Sequence, residues 1–316
     1  MRGLVTGGAG FIGSNIVEEL LSRGWEVVVL DDLSTGKKEN IAPFESSGRF
    51  LFIKGSVTDR AACDRACEGI DYVFHEAAVT SVPQSIDEPE RTLEVNVRGT
   101  SNVFLAARDA GVKRVVWASS TSVYGNSDSL PNRENEPLRP LSPYAASKAS
   151  GEMLASAVSE VYHLPVVSLR YFNVFGRRQD PFSAYAAVIP IFVARLLRGE
   201  RPVIHGDGEQ TRDFVFVGDV VEANIRAALH AAPKASGRAF NIGRGERIPV
   251  NGLFRIIAEE MGTDIQPEYK PGRPGEVRDS MADITAAREA FGYEPSVDVR
   301  AGLKRSLDWY RENLVR

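Results

Sequence analysis

The sequence predicts an α/β protein built on a doubly wound parallel sheet, with a smaller second α/β domain. Two observations predict the sheet: residues 1–170 alternate short apolar runs with helical stretches, and these runs are continuously apolar rather than alternating with polar residues. Parallel strands that are covered by helices on both faces have this pattern. A third observation, the change to a polar sequence rich in Gly, Arg and Pro after Asn173, predicts the second domain.

In the first part of the chain, strands and helices follow one another in order. The predicted strands are Gly3–Thr6, Glu26–Leu30, Leu51–Lys54, Tyr72–His75, Arg114–Ala118 and Val166–Arg170. The predicted helices between them include Phe11–Arg23, Pro89–Ala110 and Pro143–Tyr162.

In the second part, the pattern predicts a return to the sheet and then a helical tail. We expect residues 1–173 plus about 214–243 to form the first domain, and about 174–213 plus 244–316 to form the second. The predicted elements are a helix over Val188–Leu197, a strand over Phe214–Val217, a helix over Asp219–Ala231, a strand over Phe240–Gly243, and helices over Val250–Met261, Ile284–Phe291 and Arg300–Asn313.

The composition limits the classes of partner. The 316 residues carry a net charge of −4, with 43% hydrophobic and 25% charged residues, so nucleic acid and anionic membranes gain no overall attraction. No apolar run approaches the roughly 20 residues that span a bilayer, and the first residues lack a signal-peptide pattern. We therefore expect a cytoplasmic protein. Because Cys63 and Cys67 stand alone and the four histidines are scattered, we expect no metal site.

A glycine-rich turn between the first strand and the first helix predicts a dinucleotide site. Gly7, Gly10 and Gly13 are spaced for a tight turn, close approach of the backbone to a pyrophosphate, and close packing of helix on strand. The helix that opens with Phe11 and Ile12 then offers its N–H groups to the phosphates. Asp31 and Asp32 follow the second strand, where a carboxylate accepts from ribose hydroxyls and repels a 2′-phosphate, so NAD is favoured over NADP. Small residues after the fourth strand, at Ala77 and Ala78, would let the backbone approach the cofactor.

A tyrosine and a lysine predict the catalytic groups. Tyr144 and Lys148 are four residues apart and share one face of a predicted helix. A lysine cation near a phenol favours the phenolate and so lowers the pKa of the tyrosine. With the hydroxyl cluster that ends the fifth strand, this pair suits proton removal from a carbinol while a hydride leaves for nicotinamide.

With these motifs, the whole chain resembles the extended short-chain dehydrogenases/reductases, and especially their nucleotide-sugar epimerases. The resemblance implies a Rossmann sheet, Ser120 as hydroxyl partner, Tyr144 as base and Lys148 as its activator. Related 4,6-dehydratases and decarboxylases carry acids just before Val123, where this chain has Thr121 and Ser122. The resemblance therefore implies C4 epimerisation of a UDP-sugar through a 4-keto intermediate.

The same resemblance implies further binding residues. Ser56 and Val57 fall where relatives hold adenine, although the relatives often have Asp in place of Ser56. Tyr171, in the stretch 170–176, is also assigned to the cofactor site. Residues implied to contact the UDP-sugar are Thr80, Ser81, Ser120, Thr121, Ser122, Tyr144, Asn173, Val188, His205, Arg212, Arg273 (or Arg278) and Ser280. His205 stands where the family usually has an aromatic residue that stacks on uracil.

Ser280 decides between the candidate sugars. It falls where relatives have a gatekeeper beside the C2 substituent, and serine leaves room for an acetamido group, which favours UDP-GlcNAc/UDP-GalNAc. A UDP-hexuronate is the rival, because arginines such as Arg177, Arg178 and Arg273 could accept a carboxylate. A plain UDP-glucose 4-epimerase and a non-catalytic NAD-binding regulator remain as alternatives. The resemblance also implies a homodimer formed through the predicted helices Pro89–Ala110 and Pro143–Tyr162.

Overall fold

The computed structural model describes residues 1–127, 129–180, 187–272 and 278–314. Its strands are β1 (Arg2–Thr6), β2 (Glu26–Asp31), β3 (Phe50–Lys54), β4 (Tyr72–His75), β5 (Arg114–Ser120), β6 (Val166–Tyr171), β7 (Asn173–Phe175), β8 (Val203–His205), β9 (Thr211–Arg212), β10 (Phe214–Phe216), β11 (Arg238–Ile242), β12 (Ile248–Pro249) and β13 (Glu268–Lys270). Its α-helices are α1 (Phe11–Ser22), α2 (Arg60–Cys67), α3 (Val82–Asp87), α4 (Pro89–Leu93), α5 (Thr100–Asp109), α6 (Pro143–Tyr162), α7 (Val188–Leu197), α8 (Val217–His230), α9 (Val250–Met261), α10 (Thr285–Phe291) and α11 (Val299–Leu314).

A seven-stranded parallel sheet in the order β11-β6-β5-β4-β1-β2-β3 organises the fold. The strand order reverses between β1 and β4, and ligands of open α/β sheets bind outside the carboxyl ends of the strands at such a point. The residues that follow β1 and β4 there are the glycine turn from Gly7 and the segment from Glu76. The predicted parallel Rossmann sheet is confirmed.

The sheet is covered on both faces, which explains its continuously apolar strands. Along β2, Val27 and Val29 belong to one hydrophobic cluster, whereas Val28 and Leu30 belong to the cluster on the opposite face. Successive side chains of a strand point to opposite faces, so a strand that is buried on both sides must be apolar throughout.

Two predicted elements differ from the observed ones. The strand beginning at Phe214 pairs with β7 in a separate two-stranded parallel sheet, so only β11 extends the central sheet. The helix predicted over Pro89–Ala110 contains a π-helical turn at Glu94–Gly99 between α4 and α5. Asn96 lies in this turn, and its amide bonds to the backbone of Val79.

Several short elements escaped prediction. The short strands β8, β9, β12 and β13 form two-residue or three-residue ladders whose partners lie far away in the sequence. Across the described ranges, no helix combines the length and the apolar character that crossing a membrane requires.

Candidate active site

The glycine turn forms a cradle at the carboxyl end of β1. Gly7 has φ +68°, and a Cβ there would lie 2.7 Å from the backbone nitrogen of Ala77. A Cβ on Gly13 would collide with the carbonyl oxygen of Gly7. Gly10 is the N-cap of α1, and no side chain caps the first turn that contains Phe11 and Ile12. A backbone this close to its neighbours, ending in an uncapped helix N-terminus, fits the pyrophosphate of a dinucleotide.

The acidic residues after β2 brace this cradle. The Asp31 carboxylate is buried, and it accepts from the backbone N–H groups of Ala9 (2.9 Å) and Leu33 (2.8 Å). Burial raises the pKa of Asp31, and the two N–H groups oppose that shift. Two carboxylate oxygens offer about four acceptor positions, so Asp31 keeps capacity for ribose hydroxyls. Asp32 is exposed and accepts from the backbone N–H of Ser34 (2.9 Å).

The remaining predicted cofactor residues line the same edge of the sheet. The Ser56 hydroxyl accepts from the Thr58 hydroxyl (3.0 Å). Val57 is buried against Gly99, where a Cβ would lie only 2.6 Å from the Val57 side chain. Ala77 and Ala78 come after Glu76 at the end of β4 and are partly buried, as the expected close approach of backbone to cofactor requires.

The predicted catalytic residues meet at the end of β5. Ser120 is the last residue of β5, and α6 carries both Tyr144 and Lys148 beneath its N-cap Ser142, whose hydroxyl accepts from the Ala145 N–H (3.1 Å). The Ser120 hydroxyl opposes the increase in the Tyr144 pKa that burial causes.

Lys148 is oriented by the backbone. It is 3% exposed, and its ammonium donates to the carbonyl of Ala118 (2.8 Å) and lies 5.9 Å from the centre of the Tyr144 ring. Burial lowers the pKa of Lys148 to about 8. The pKa of Tyr144 is raised, opposite to the expected direction, because burial outweighs other effects and the ammonium is bonded to Ala118 rather than to the phenol.

Sequence reasoning missed a set of polar residues that hold the cofactor edge together. The imidazole of His75 is fully buried between the hydroxyls of Thr6 (2.6 Å) and Thr100 (3.0 Å), and burial lowers the pKa of His75 to about 3. Asn96 bonds to both backbone groups of Val79 and donates to the Ser147 hydroxyl (2.9 Å). The available signal was Asn96 and Thr100, two polar residues one turn apart on a predicted helix.

A buried ion pair supports the strand that carries Ser120. The guanidinium of Arg170 on β6 donates to Glu152 on α6 at 2.7 and 2.9 Å, and Ser119 donates to the same carboxylate at 2.5 Å. Arg170 also donates to the Tyr124 hydroxyl (2.8 Å), which in turn donates to Asn241 (2.6 Å). Strand β5, helix α6 and strand β11 are thus fixed relative to one another by charge-assisted hydrogen bonds.

A cleft of about 580 Å³ adjoins this edge, and several of the predicted substrate residues line it. Its lining includes Asn173, Val188, His205 and Arg212. The Asn173 amide donates to the carbonyl of Asp213 (3.1 Å), and Arg212 donates to the carbonyl of Arg278 (2.8 Å). The cations Arg195 and Lys270, which the sequence analysis did not single out, line the same cleft.

Ser280 lies beside the cleft but not among its lining residues. It is 7% exposed and donates its backbone N–H to Thr211 (3.2 Å). Its hydroxyl is buried and has no hydrogen-bond partner among the described residues, and the same holds for the hydroxyl of Ser122 in the turn after β5. Unpartnered buried hydroxyls are rare and are often explained by a missing ligand or water.

The other predicted substrate residues that the structure describes do not line this cleft. Thr80 is exposed, while the Ser81 hydroxyl caps α3 by accepting from the Gln84 N–H (3.1 Å). Helix α3 reaches the catalytic region, because its Ser85 hydroxyl accepts from the Tyr144 N–H (3.1 Å). Thr121 follows Ser120 in a 3₁₀ turn. Arg273 lies outside the described residues.

The chain matches known proteins over nearly its whole length. Residues 3–243 match the NAD dependent epimerase/dehydratase family. The UDP-glucose 4-epimerase of Mycolicibacterium smegmatis is 42% identical over 98% of this chain and 99% of its own length.

Two solved structures are similar to the whole fold. A UDP-N-acetylglucosamine 4-epimerase of Methanobrevibacter ruminantium, in complex with UDP-N-acetylmuramic acid, has a TM-score of 0.93 at 40% identity, with 98% of each chain covered. A UDP-glucose 4-epimerase of Thermus thermophilus, in complex with NAD, has a TM-score of 0.88 at 38% identity, with 99% of this chain and all of that chain covered.

The chain belongs to the NAD dependent epimerase/dehydratase family. The predicted family, the fold and NAD as cofactor are thereby confirmed. The individual residue roles stay predictions.

Proposed function

We propose that this enzyme interconverts UDP-GlcNAc and UDP-GalNAc by C4 epimerisation, and that it also accepts UDP-glucose and UDP-galactose. The coarser part, NAD-dependent 4-epimerisation of a UDP-sugar, is supported by relatives with that activity at 40–42% identity over almost the full chain. The choice of sugar depends on one observation: a small, buried Ser280 with an unpartnered hydroxyl stands beside the cleft. A serine there leaves room for an acetamido group and offers it a hydrogen bond.

The residues present fit NAD. A Cβ at Gly7 or Gly13 would fill the cradle that its pyrophosphate needs, and Asp31 stands beside that cradle at the end of β2. The chemistry that bound NAD would supply is reversible uptake of a hydride from C4 of the sugar.

Residues of the chain itself carry out the proton transfer at O4 of the sugar. Tyr144 accepts the proton of the C4 hydroxyl and later returns it, which is general base and then general acid catalysis. Ser120, whose hydroxyl acts to lower the pKa of Tyr144, orients the phenol. The Lys148 ammonium, held by Ala118, supplies positive charge that favours the phenolate. Arg212 lies in the cleft where the diphosphate would bind, and its planar fork suits phosphate oxygens.

A UDP-hexuronate is the second candidate, favoured by Arg195 and Lys270 in the cleft. Two arginines that suggested it from the sequence do not support it, because Arg177 and Arg178 both pair with Glu18 of α1 at 2.6 and 2.8 Å. A purely regulatory NAD-binding protein is disfavoured, since Ser120, Tyr144 and Lys148 are all retained.

We also propose a homodimer through α4, α5 and α6. Leu93 on α4 is 45% exposed, and Met153 and Val161 on α6 are 65% and 66% exposed. Helices α4 and α6 are in contact, so these apolar side chains extend over adjoining elements. Sedimentation velocity should give twice the chain mass, and Met153→Asp should shift the protein to the monomer; a wild-type monomer would contradict the proposal.

Proton NMR with separate UDP-sugars tests the function. The purified protein is incubated without added cofactor with UDP-GlcNAc, UDP-glucose or UDP-glucuronate, and the anomeric signals of the C4 epimers are followed. UDP-GlcNAc should epimerise fastest. If UDP-glucuronate is fastest, the sugar assignment is wrong while the mechanism survives. No turnover of any sugar, even with NAD supplied, would contradict the epimerase proposal itself.

A further inference from the structure

The ammonium of Lys148 is a buried charge that one carbonyl only partly satisfies. It is 3% exposed, donates to Ala118, and lies 5.2 Å from the centre of the Trp117 ring. An ammonium has three donors, and a buried charge is costly unless an opposite charge lies near it. The catalytic role proposed for Lys148 needs that charge to persist at neutral pH.

Glu76 is the acid at this place in the sheet. β4 ends at His75, which lies opposite Trp117 of β5, so Glu76 and Ala118 are the next residues on the two neighbouring strands. Lys148 reaches that position from α6 through its bond to Ala118. The carboxylate of Glu76 and the ammonium of Lys148 attract each other there.

The Glu76 carboxylate is held in place from the opposite side. The Tyr171 hydroxyl at the end of β6 donates to it (2.8 Å), and the Asn224 amide on α8 donates to the Tyr171 hydroxyl (2.8 Å). Asn224 is itself anchored by donating to the carbonyl of Val220 (2.9 Å). The hydroxyl of Tyr171, a residue that the sequence analysis assigned to the cofactor site, is thus bonded to Glu76 and Asn224.

We propose that Glu76 is a positioning residue whose carboxylate, fixed by Tyr171 and Asn224, is the counter-charge of the catalytic Lys148 ammonium. This inference rests on the proposed function. Glu76 need not touch substrate or cofactor, because it acts on Tyr144 through Lys148.

The neighbouring ionisable groups support this arrangement. Among the described residues, those that act on the Glu76 carboxyl are Tyr171 from β6 and Lys148 from α6, while His75 beside it has a pKa lowered to about 3 and is neutral. Burial raises the pKa of Glu76 to about 7, and the Tyr171 hydroxyl and Lys148 oppose that shift. The pKa of Lys148, about 8, includes an upward contribution from Glu76. The counter-charge is therefore absent below pH 7 and present above it.

The titration of Lys148 itself provides the test. Protein labelled with ¹³C at lysine Cε is titrated by NMR without substrate, and the Lys148 signal is assigned by its loss in Lys148→Met. In Glu76→Gln, which keeps size and hydrogen bonding but removes the charge, the Lys148 midpoint should fall by about one pH unit, the low end of what an opposite charge at close range produces. Glu76→Asp should restore it. Tyr171→Phe keeps the carboxylate but removes the hydroxyl that fixes it and opposes its pKa increase, so the Lys148 midpoint should also fall, by less than in Glu76→Gln.

Activity should follow the same titration. With the midpoint one unit below about 8, a tenth rather than half of Lys148 is protonated at pH 8, so kcat of Glu76→Gln should be about fivefold lower there. At pH 6.5, where the wild-type carboxyl is itself mostly protonated, the two enzymes should be nearly equal. A purely structural Glu76 would lower kcat equally at both values.

Two results would overturn the inference. One is an unchanged Lys148 midpoint in Glu76→Gln. The other, which needs no variant, is a wild-type Lys148 signal without an inflection near pH 7, where its partner loses a proton. Because the NMR titration uses no substrate, it stays readable even if the enzyme acts on a different sugar or on none.

Discussion

The carboxyl edge of the sheet and the neighbouring cleft are built in different ways. At the edge, functional side chains are bonded to the protein itself: Asp31 to the N–H groups of Ala9 and Leu33, and Lys148 to Ala118. Beside the cleft, Ser280 carries a buried hydroxyl that no group in the described part of the chain satisfies. The edge is therefore organised in advance for one cofactor and one proton transfer, whereas the neighbourhood of the cleft retains polar capacity for a ligand.

This difference separates the residues proposed for the chemistry from those proposed for the choice of sugar. The chemistry at the edge depends on backbone geometry and on a few close bonds, so a change there should abolish activity on every sugar. In the proposed function the cleft decides which sugar is held, so a change there should redistribute activity among sugars. Three substitutions test that division.

Tyr144→Phe should have the largest effect. Removing a positioned general base costs about 10²–10⁴-fold in rate, and kcat should fall by that factor on UDP-GlcNAc and UDP-glucose alike. Because the phenol ring and its packing remain, the protein should keep its NAD, measured by absorbance after acid release. Activity within a few-fold of the wild type would show that Tyr144 is not the base.

Gly7→Ala should come next, and it should act on the cofactor. The new methyl group would lie 2.7 Å from the backbone nitrogen of Ala77 in a residue with φ +68°, so the cradle must shift. Overpacking of this kind costs about 1–3 kcal/mol, measurable as a lower free energy of unfolding in urea, and bound NAD should fall with it.

Gly48→Ala is the matched control for this substitution. Gly48 is exposed, and a Cβ there meets no atom within 4 Å. This variant should keep both its NAD content and its stability. Equal NAD content in the two variants would show that the glycine turn is not the pyrophosphate site.

The same division explains how far the sequence could predict the molecule. The glycine turn, Tyr144 and Lys148 are local patterns, because adjacent residues of one turn or one helix face determine their geometry. The parallel strands were readable because burial on both faces leaves a continuously apolar run. The pairing of β10 with β7 could not be predicted, because nothing in the sequence of two short strands far apart in the chain indicates which strand each one pairs with.

Other residues of the site become visible only in three dimensions. Glu76 follows β4 in a segment notable for its small residues, and its importance depends on Lys148 and Tyr171, which are more than 70 positions away. The pKa of Tyr144 likewise depends on burial, which raises it, although sequence spacing suggests that Lys148 lowers it. The extra cations of the cleft, Arg195 and Lys270, come from a helix and a strand with no recognisable motif.

Ser280→Tyr should have the smallest effect on the overall rate. Its effect should also differ most between the two sugars. Ser280 is buried beside Thr211, so a phenol must project toward the ligand or displace its neighbours. Misfit of this kind costs about 1–3 kcal/mol, so kcat/KM for UDP-GlcNAc should fall about tenfold or more relative to that for UDP-glucose. Ser280→Ala, which removes the unpartnered hydroxyl without adding bulk, should keep the wild-type preference within a few-fold. The ratio of the two kcat/KM values, measured by NMR for all three proteins, separates steric exclusion from general damage to the enzyme. If Ser280→Tyr lowers both values equally, Ser280 does not select the C2 substituent. The preference must then originate elsewhere in the cleft.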